Sequence, residues 1–149
     1  IYREMERAVQ KGIILESACG KGHFSHDCAA AALDAGIKPD IISGDFTRKT
    51  YHYEPSISLP YLMSRFLALG MCFADVLTCC TATPAEKMGM KDEIGCLRPG
   101  ARANIAVFKR ELGEFVFSDV RSSKVMGHER LVPMLTVWEG DIVYRNGEF

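Results

Sequence analysis

A strand, turn, helix, strand pattern near the start of the chain is the feature that most restricts its fold. The apolar run at 12–18 predicts a buried strand that stops at the Cys-Gly-Lys-Gly turn of 19–22. A helix is predicted over 26–35, and Pro39 precedes a second strand over 40–43. Such a βαβ unit joins parallel strands through a right-handed crossover. The first part of the chain is therefore expected to be α/β.

The pattern changes from helices to strands near residue 90. The helical spacing of Leu59, Leu62, Met63, Phe66 and Leu67 predicts a helix with one core-facing side. Further helices are predicted over 2–11, 73–80 and 84–88, and strands over 105–108, 115–117 and 135–138, the last forming a hairpin with 142–144. We therefore predict two domains, 1–90 and 91–149.

Length and charge exclude several classes of protein. A chain of 149 residues is too short for a closed eight-stranded barrel, which takes about 250. With 18 basic and 19 acidic residues it has no field for nucleic acid or an anionic membrane, and no apolar run approaches a transmembrane span. Because it begins with Ile1 rather than Met, we expect it to be part of a longer protein.

The cysteines indicate the compartment. None of the six forms a C-x-x-C pair, and no signal-peptide pattern precedes them. We therefore expect reduced thiols and a cytoplasmic location.

Asp45 is the strongest candidate for chemistry. It follows the strand at 40–43, and ligands bind at the carboxyl ends of parallel strands. A carboxylate there suits metal ligation and proton transfer, whereas the structural alternative is a capping Asp in a βα turn. Arg48 and His52 follow in the same loop, where they either reach a substrate carboxylate or carbonyl or are ordinary surface residues.

The turn after the first strand is the second candidate. Cys19, Gly20 and Gly22 precede a helix, which suits an anion-binding turn, but Ser25 replaces the third glycine of a dinucleotide fingerprint. His23 and His26 have the spacing of a metal pair, with the alternative of a helix N-terminal turn.

Several segments together resemble the C-terminal part of the amidohydrolase superfamily, in its dihydroorotase-like and deacetylase-like branch. The matching segments are 20–25, 39–45, 63–71, 81–89, 95–108 and 138–144. The most specific is T-x-x-P-A at 81–85, followed by G-x-L-x-P-G-x-x-A-x-I-x-V-F at 95–108. The resemblance implies the last two strands and helices of a (β/α)8 TIM barrel, followed by antiparallel strands of a small β-sandwich.

The resemblance also implies an activity. It indicates a zinc-dependent enzyme with one or two divalent ions, which hydrolyses a C–N amide or ester bond of a small acylated or cyclic amide through a metal-bound hydroxide. Asp45 would ligate one metal, accept the proton of the bound water and pass it to the leaving group. We expect the small-molecule substrate to contact the turn and the following loop, through Cys19, Gly20, Gly22, His23, Arg48 and His52.

This sequence lacks several residues of the family pattern, which restricts the metal binding and activity expected of the isolated chain. The paired histidines of strand one, the bridging lysine and the histidines after strands five and six have no counterpart in this chain. Cys19 stands where a histidine is common. Only about one metal ligand remains, so the isolated chain is predicted to bind no zinc and to be inactive. Its open strand edge predicts a homo-oligomer. The alternative function is a non-catalytic α/β module that binds a ligand or partner.

Overall fold

The computed structural model describes residues 3–20, 22–48 and 58–149; the predicted site residue His52 lies outside them. The helices are α1 (Arg3–Gln10), α2 (His26–Asp34), α3 (Leu59–Ala68), α4 (Phe73–Cys80) and α5 (Ala82–Lys87). The strands are β1 (Glu16–Ala18), β2 (Ile41–Ser43), β3 (Ile105–Ser118), β4 (Lys124–Trp138) and β5 (Asp141–Arg145). The fold is mixed α/β.

The predicted βαβ unit is present. β1 and β2 pair in parallel, with Ala18 opposite Ser43, and α2 crosses between them. The strand predicted over 12–18 was too long, because the ladder begins only at Glu16. The Asp40 carboxylate accepts the Leu15 N–H at 2.8 Å, just before the ladder. Ile13, predicted to be buried, is 54% exposed.

The core lies between the parallel sheet and the face of α3. The predicted apolar stripe is confirmed at Leu62, Met63 and Phe66, which are almost fully buried, whereas Leu59 at the start of the helix is 40% exposed. The same cluster includes Leu131 of β4. One core therefore contacts elements from both sides of residue 90, and the division into 1–90 and 91–149 stays a prediction.

A polar bridge crosses the contact between α3 and β4. The buried Ser64 hydroxyl donates to Pro60 O at 2.7 Å, and its oxygen accepts the Leu131 N–H at 2.8 Å. A buried N–H without a partner is costly. Ser64 thus fixes the helix against the strand.

The second sheet is antiparallel, in the order β3-β4-β5. The separate strands predicted at 105–108 and 115–117 are one strand with two irregularities, and β4 is much longer than the predicted 135–138. Pro133 interrupts the apolar pattern, but it lies beside a register shift, where a residue without an N–H is tolerated. The predicted hairpin from β4 to β5 is confirmed, with Glu139 and Gly140 at positive φ.

Within the described residues, the helices are too short or too polar to cross a bilayer.

Candidate active site at the carboxyl ends of the parallel strands

Asp45 lies two residues beyond the end of β2, at the sheet edge where the carboxyl ends of the parallel strands meet. Its φ of +41° is in a region that few non-glycine residues occupy, although Asp tolerates it better than most. Its side chain is 48% exposed. The backbone therefore presents a solvent-accessible carboxylate from a conformation that is associated with functional sites.

His23 reaches the same place from the turn after β1. Its Nε2 lies 2.8 Å from Ala18 O and 3.7 Å from Asp45 Oδ2. A carbonyl oxygen only accepts hydrogen bonds, so Nε2 is the donor in the contact with Ala18, and Nδ1 is the ring nitrogen that this contact leaves unused. The side chain is 53% exposed and thus accessible to a ligand.

Because Gly20 has no side chain, the side chains of His23 and Asp45 approach each other in the space beside it. A Cβ at this position would overlap His23 Cε1 and would lie 2.5 Å from Asp45 Oδ2. Gly22, in the same turn, has open space where its Cβ would be. The two predicted glycines therefore differ: a side chain at 20 would disturb the pair, and one at 22 would not.

Cys19 lies beneath the turn rather than at its surface. It has no exposed area, and its thiol donates to Ser17 O at 3.3 Å. Burial raises the pKa of the Cys19 thiol, an effect that Ser17 and Arg65 partly oppose. The thiol is therefore kept neutral in the interior, and its predicted contact with substrate stays a prediction.

The other predicted site residues are placed differently. The structure brings Gly20, His23 and Asp45 together, while Arg48 is exposed three positions beyond Asp45. His26 is buried, with Nδ1 3.1 Å from Ser123 O, so it does not share a surface with His23.

The metal-binding capacity of the described residues is limited. In 3–20, 22–48 and 58–149, no three His, Cys, Asp or Glu side chains are grouped so as to hold an ion. The Asp45 carboxylate is accessible and of a chemical type that divalent ions accept, so it fits as one ligand. His23 Nε2 is engaged by Ala18 O and is not free to be a second.

Sequence reasoning missed Asp119, on the loop between β3 and β4. Its side chain has no exposed area and accepts hydrogen bonds from three backbone N–H groups, of His26, Arg121 and Ser123, at 2.8–2.9 Å. These bonds, with that of His26 the strongest influence, lower the pKa of the Asp119 carboxyl. An Asp followed by Ser at 122 and 123 is a signal for the local turn, but not for the distant contact.

Comparison with known proteins identifies the family to which this chain belongs. The model of the amidohydrolase family matches residues 17–143. The chain belongs to the amidohydrolase family. The resemblance found in the sequence is thereby confirmed.

Two curated relatives carry the name deacetylase. The protein from Brucella anthropi is 30% identical over 110 residues, and that from Agrobacterium fabrum is 32% identical over 108. Each alignment covers 72% of this chain and 26% of the relative. The chain thus spans about a quarter of the length of these deacetylases.

Solved structures agree on the fold. A crystal structure of an adenine deaminase matches with a TM-score of 0.90 and 25% identity, over 98% of this chain and 39% of that chain. A crystal structure of a dihydroorotase matches with a TM-score of 0.80 and 22% identity, over 97% and 38% respectively. The architecture is therefore that of amidohydrolase structures.

Proposed function

We propose that this chain supplies part of the active site of a metal-dependent amidohydrolase. The reaction is hydrolysis of a C–N amide bond, or an ester bond, in a small acylated or cyclic amide. The chain would contribute the last two strands and helices of a (β/α)8 barrel and the strands of a small β-sandwich. The observation that carries the proposal is the accessible Asp45 carboxylate at the carboxyl end of β2, in contact with the turn after β1.

Asp45 is the residue of this chain that would hold a divalent metal, for which we propose zinc. Such an ion lowers the pKa of coordinated water to about 7 and polarises the scissile carbonyl. Since Asp45 is the one ligand that the family pattern assigns to these 149 residues, the chain alone is proposed to have no turnover.

The chemical work of Asp45 is proton transfer. Its carboxylate oxygen would accept a proton from the attacking water and pass it to the leaving nitrogen or oxygen, a role that requires a carboxylate accessible to both. His23 lies beside it, and its ring suits hydrogen bonding to a polar substrate group. Both side chains are about half exposed, so a small substrate has access to them.

All six cysteines are free thiols, and one of them, Cys19, is buried beneath the turn of the candidate site. On this basis we propose that the enzyme works in the cytoplasm, where thiols remain reduced.

The experiment uses the protein expressed from its complete reading frame, purified with zinc and assayed on a panel of N-acyl amino acids and cyclic amides. Asp45→Asn keeps the size of the side chain and tolerates the positive φ, but it cannot take up a proton. We expect turnover to fall by about a hundredfold or more, because general acid–base groups contribute at least that much.

Asp34→Asn, an exposed change at the end of α2, is the matched control and should leave turnover unchanged. Near wild-type activity of Asp45→Asn would overturn the assigned role. Absence of hydrolysis on every member of the panel, by a zinc-loaded wild type, would favour a non-catalytic binding module instead.

A further inference from the structure

We propose that Asp119 is a positioning residue for the candidate active site. Its carboxylate holds the turn together with the start of α2 (19–26), the segment that carries Gly20 and His23, against the loop between β3 and β4. The proposal rests on the proposed function for its catalytic consequence, although the fastening itself is independent of it. Asp119 and the turn are far apart in sequence, since Asp119 lies 93 positions after its partner His26.

The contact consists of three hydrogen bonds between the loop and the turn. Asp119 Oδ2 accepts the His26 N–H at 2.8 Å, and His26 Nδ1 lies 3.1 Å from Ser123 O. In addition, the Val120 N–H donates to Phe24 O at 3.5 Å. Two of the three involve backbone groups on the turn, so the loop holds the path of the main chain and not only a side chain.

The two carboxylate oxygens of Asp119 accept hydrogen bonds from different segments of the chain. Oδ1 accepts the N–H groups of Arg121 and Ser123 and so shapes the loop itself, whereas Oδ2 faces His26. Both oxygens are needed because each set of donors lies on its own side of the carboxylate. An amide side chain has one acceptor oxygen, so it satisfies one set and presents an N–H to the other.

The end of the turn that Asp119 holds, at His26, is close to His23 in the candidate site. Phe24 lies between His23 and His26 and is only 6% exposed, with the Arg65 guanidinium carbon 3.8 Å from its ring centroid. The other end of the turn is fixed by the Cys19 N–H, which donates to Ser43 O at 2.8 Å. With both ends fixed, the position of His23 against Asp45 is set by contacts outside the pair.

The geometry of α2 allows a test that removes a single N–H. His26 is the first residue of the helix, after the N-cap Ser25, whose φ of −123° and ψ of 126° suit a residue that precedes proline. Proline is accepted at this first helical position. His26→Pro therefore deletes the donor to Asp119, and His26→Ala is its matched control, since it removes the ring but retains the N–H.

The experiment compares Asp119→Asn, His26→Pro and His26→Ala in the protein from its complete reading frame. Hydrogen–deuterium exchange is followed on peptides that cover 19–28, with α4 as the internal reference. We expect exchange at 19–28 to be faster in Asp119→Asn and His26→Pro than in His26→Ala, which loses the Nδ1 contact with Ser123 O but keeps the N–H donor to Asp119, and we expect unchanged exchange in α4. Asp141→Asn, at an exposed position on β5, should match the wild type.

Kinetics separate positioning from general stability. In Asp119→Asn we expect kcat to fall about tenfold with KM within about threefold, because a small misplacement of a catalytic group costs rate more than binding. In the His26→Pro background, Asp119→Asn should have no further effect on kcat, since the bond is already absent. A full additional loss there would overturn the proposal, as would unchanged exchange at 19–28 in Asp119→Asn.

The two proposals fail separately. If the wild type hydrolyses nothing, the proposed function fails, while the exchange measurement still decides whether Asp119 holds the turn. If exchange at 19–28 becomes faster in Asp119→Asn but kcat does not change, Asp119 holds the turn but does not position the active site.

Discussion

His23 and Asp45 approach each other at the carboxyl edge of the parallel sheet, with 3.7 Å between Nε2 and Oδ2. The two side chains come from consecutive strand ends and share the space left by the absent side chain of Gly20. Their relative position is therefore sensitive to a single methyl group at position 20.

Gly20→Ala should separate the pair. The new Cβ would overlap His23 and lie 2.5 Å from the Asp45 carboxylate, and both side chains are exposed enough to move away. We expect kcat/KM to fall by about ten- to a hundredfold, as expected for a displaced catalytic group, while the unfolding midpoint in urea stays close to that of the wild type.

Gly147→Ala is the control for this change, because its Cβ would enter open space away from the candidate site. It should retain wild-type kcat/KM. If Gly20→Ala is as active as Gly147→Ala, the approach of His23 to Asp45 is not needed for turnover.

Ser64→Ala tests the bridge between α3 and β4. The substitution leaves the buried Leu131 N–H without its acceptor, which should lower the free energy of unfolding by about 1–3 kcal/mol. Urea denaturation measures this, and Ser118→Ala, at an exposed position at the end of β3, should change it little. Equal stability of Ser64→Ala and wild type would mean that water or another group satisfies the N–H.

The elements that sequence patterns predicted well are those set by local spacing. α4 was predicted over the residues it occupies, and the turn of Glu139 and Gly140 was located by its glycine. β4 was predicted too short because its polar residues have partners only in the folded sheet. Arg110 and Glu129, for example, pair across β3 and β4 with Nε and Oε2 2.7 Å apart, which no periodicity in one strand reveals.

The residues of the candidate site also divide into those that local sequence predicts and those whose position depends on contacts in the folded protein. The position of Asp45 at the carboxyl edge of the sheet was predictable because residues that follow parallel strands lie at that edge, while its catalytic role stays a prediction. Asp119 was not found because its contact with His26 depends on how the second sheet lies against the βαβ unit, and no local motif encodes that. Cys19 was grouped with its neighbours in sequence, yet the chain turns its thiol inward at this point.

The buried His26 should make the fold sensitive to mild acid. Burial lowers the pKa of His26; Asp119 opposes this and Arg65 adds to it. The folded chain therefore takes up a proton at His26 less readily than the unfolded chain does, and stability falls as pH drops below the ordinary value of 6.5. His26→Gln should reduce the decrease in unfolding free energy between pH 7 and about pH 5, measured by urea titrations.

Asp119 acts over a lower pH range. Since its carboxyl has a lowered pKa, its contribution is complete above the ordinary value of 3.8 and is lost as pH falls below it. Asp119→Asn should therefore reduce the loss of stability below that value. Because it also removes a charge that raises the pKa of His26, it should make the loss of stability between pH 6.5 and about pH 5 at least as steep as in wild type. An identical pH dependence of wild type and both variants would contradict these assignments.

Arg65 is a buried cation whose replacement should be tolerated. It is 2% exposed, and its Nε and Nη2 have no hydrogen-bond partner among the described residues, although the guanidinium lies over the ring of Phe24. Unpaired buried donors are unfavourable, and an apolar side chain of similar length avoids that cost. Arg65→Met should thus unfold at the same urea concentration as wild type or higher, with the thioether against Phe24. Arg65→Ala should lose about 2 kcal/mol or more through the cavity it leaves, and a loss of that size in Arg65→Met instead would show that the guanidinium has a favourable partner.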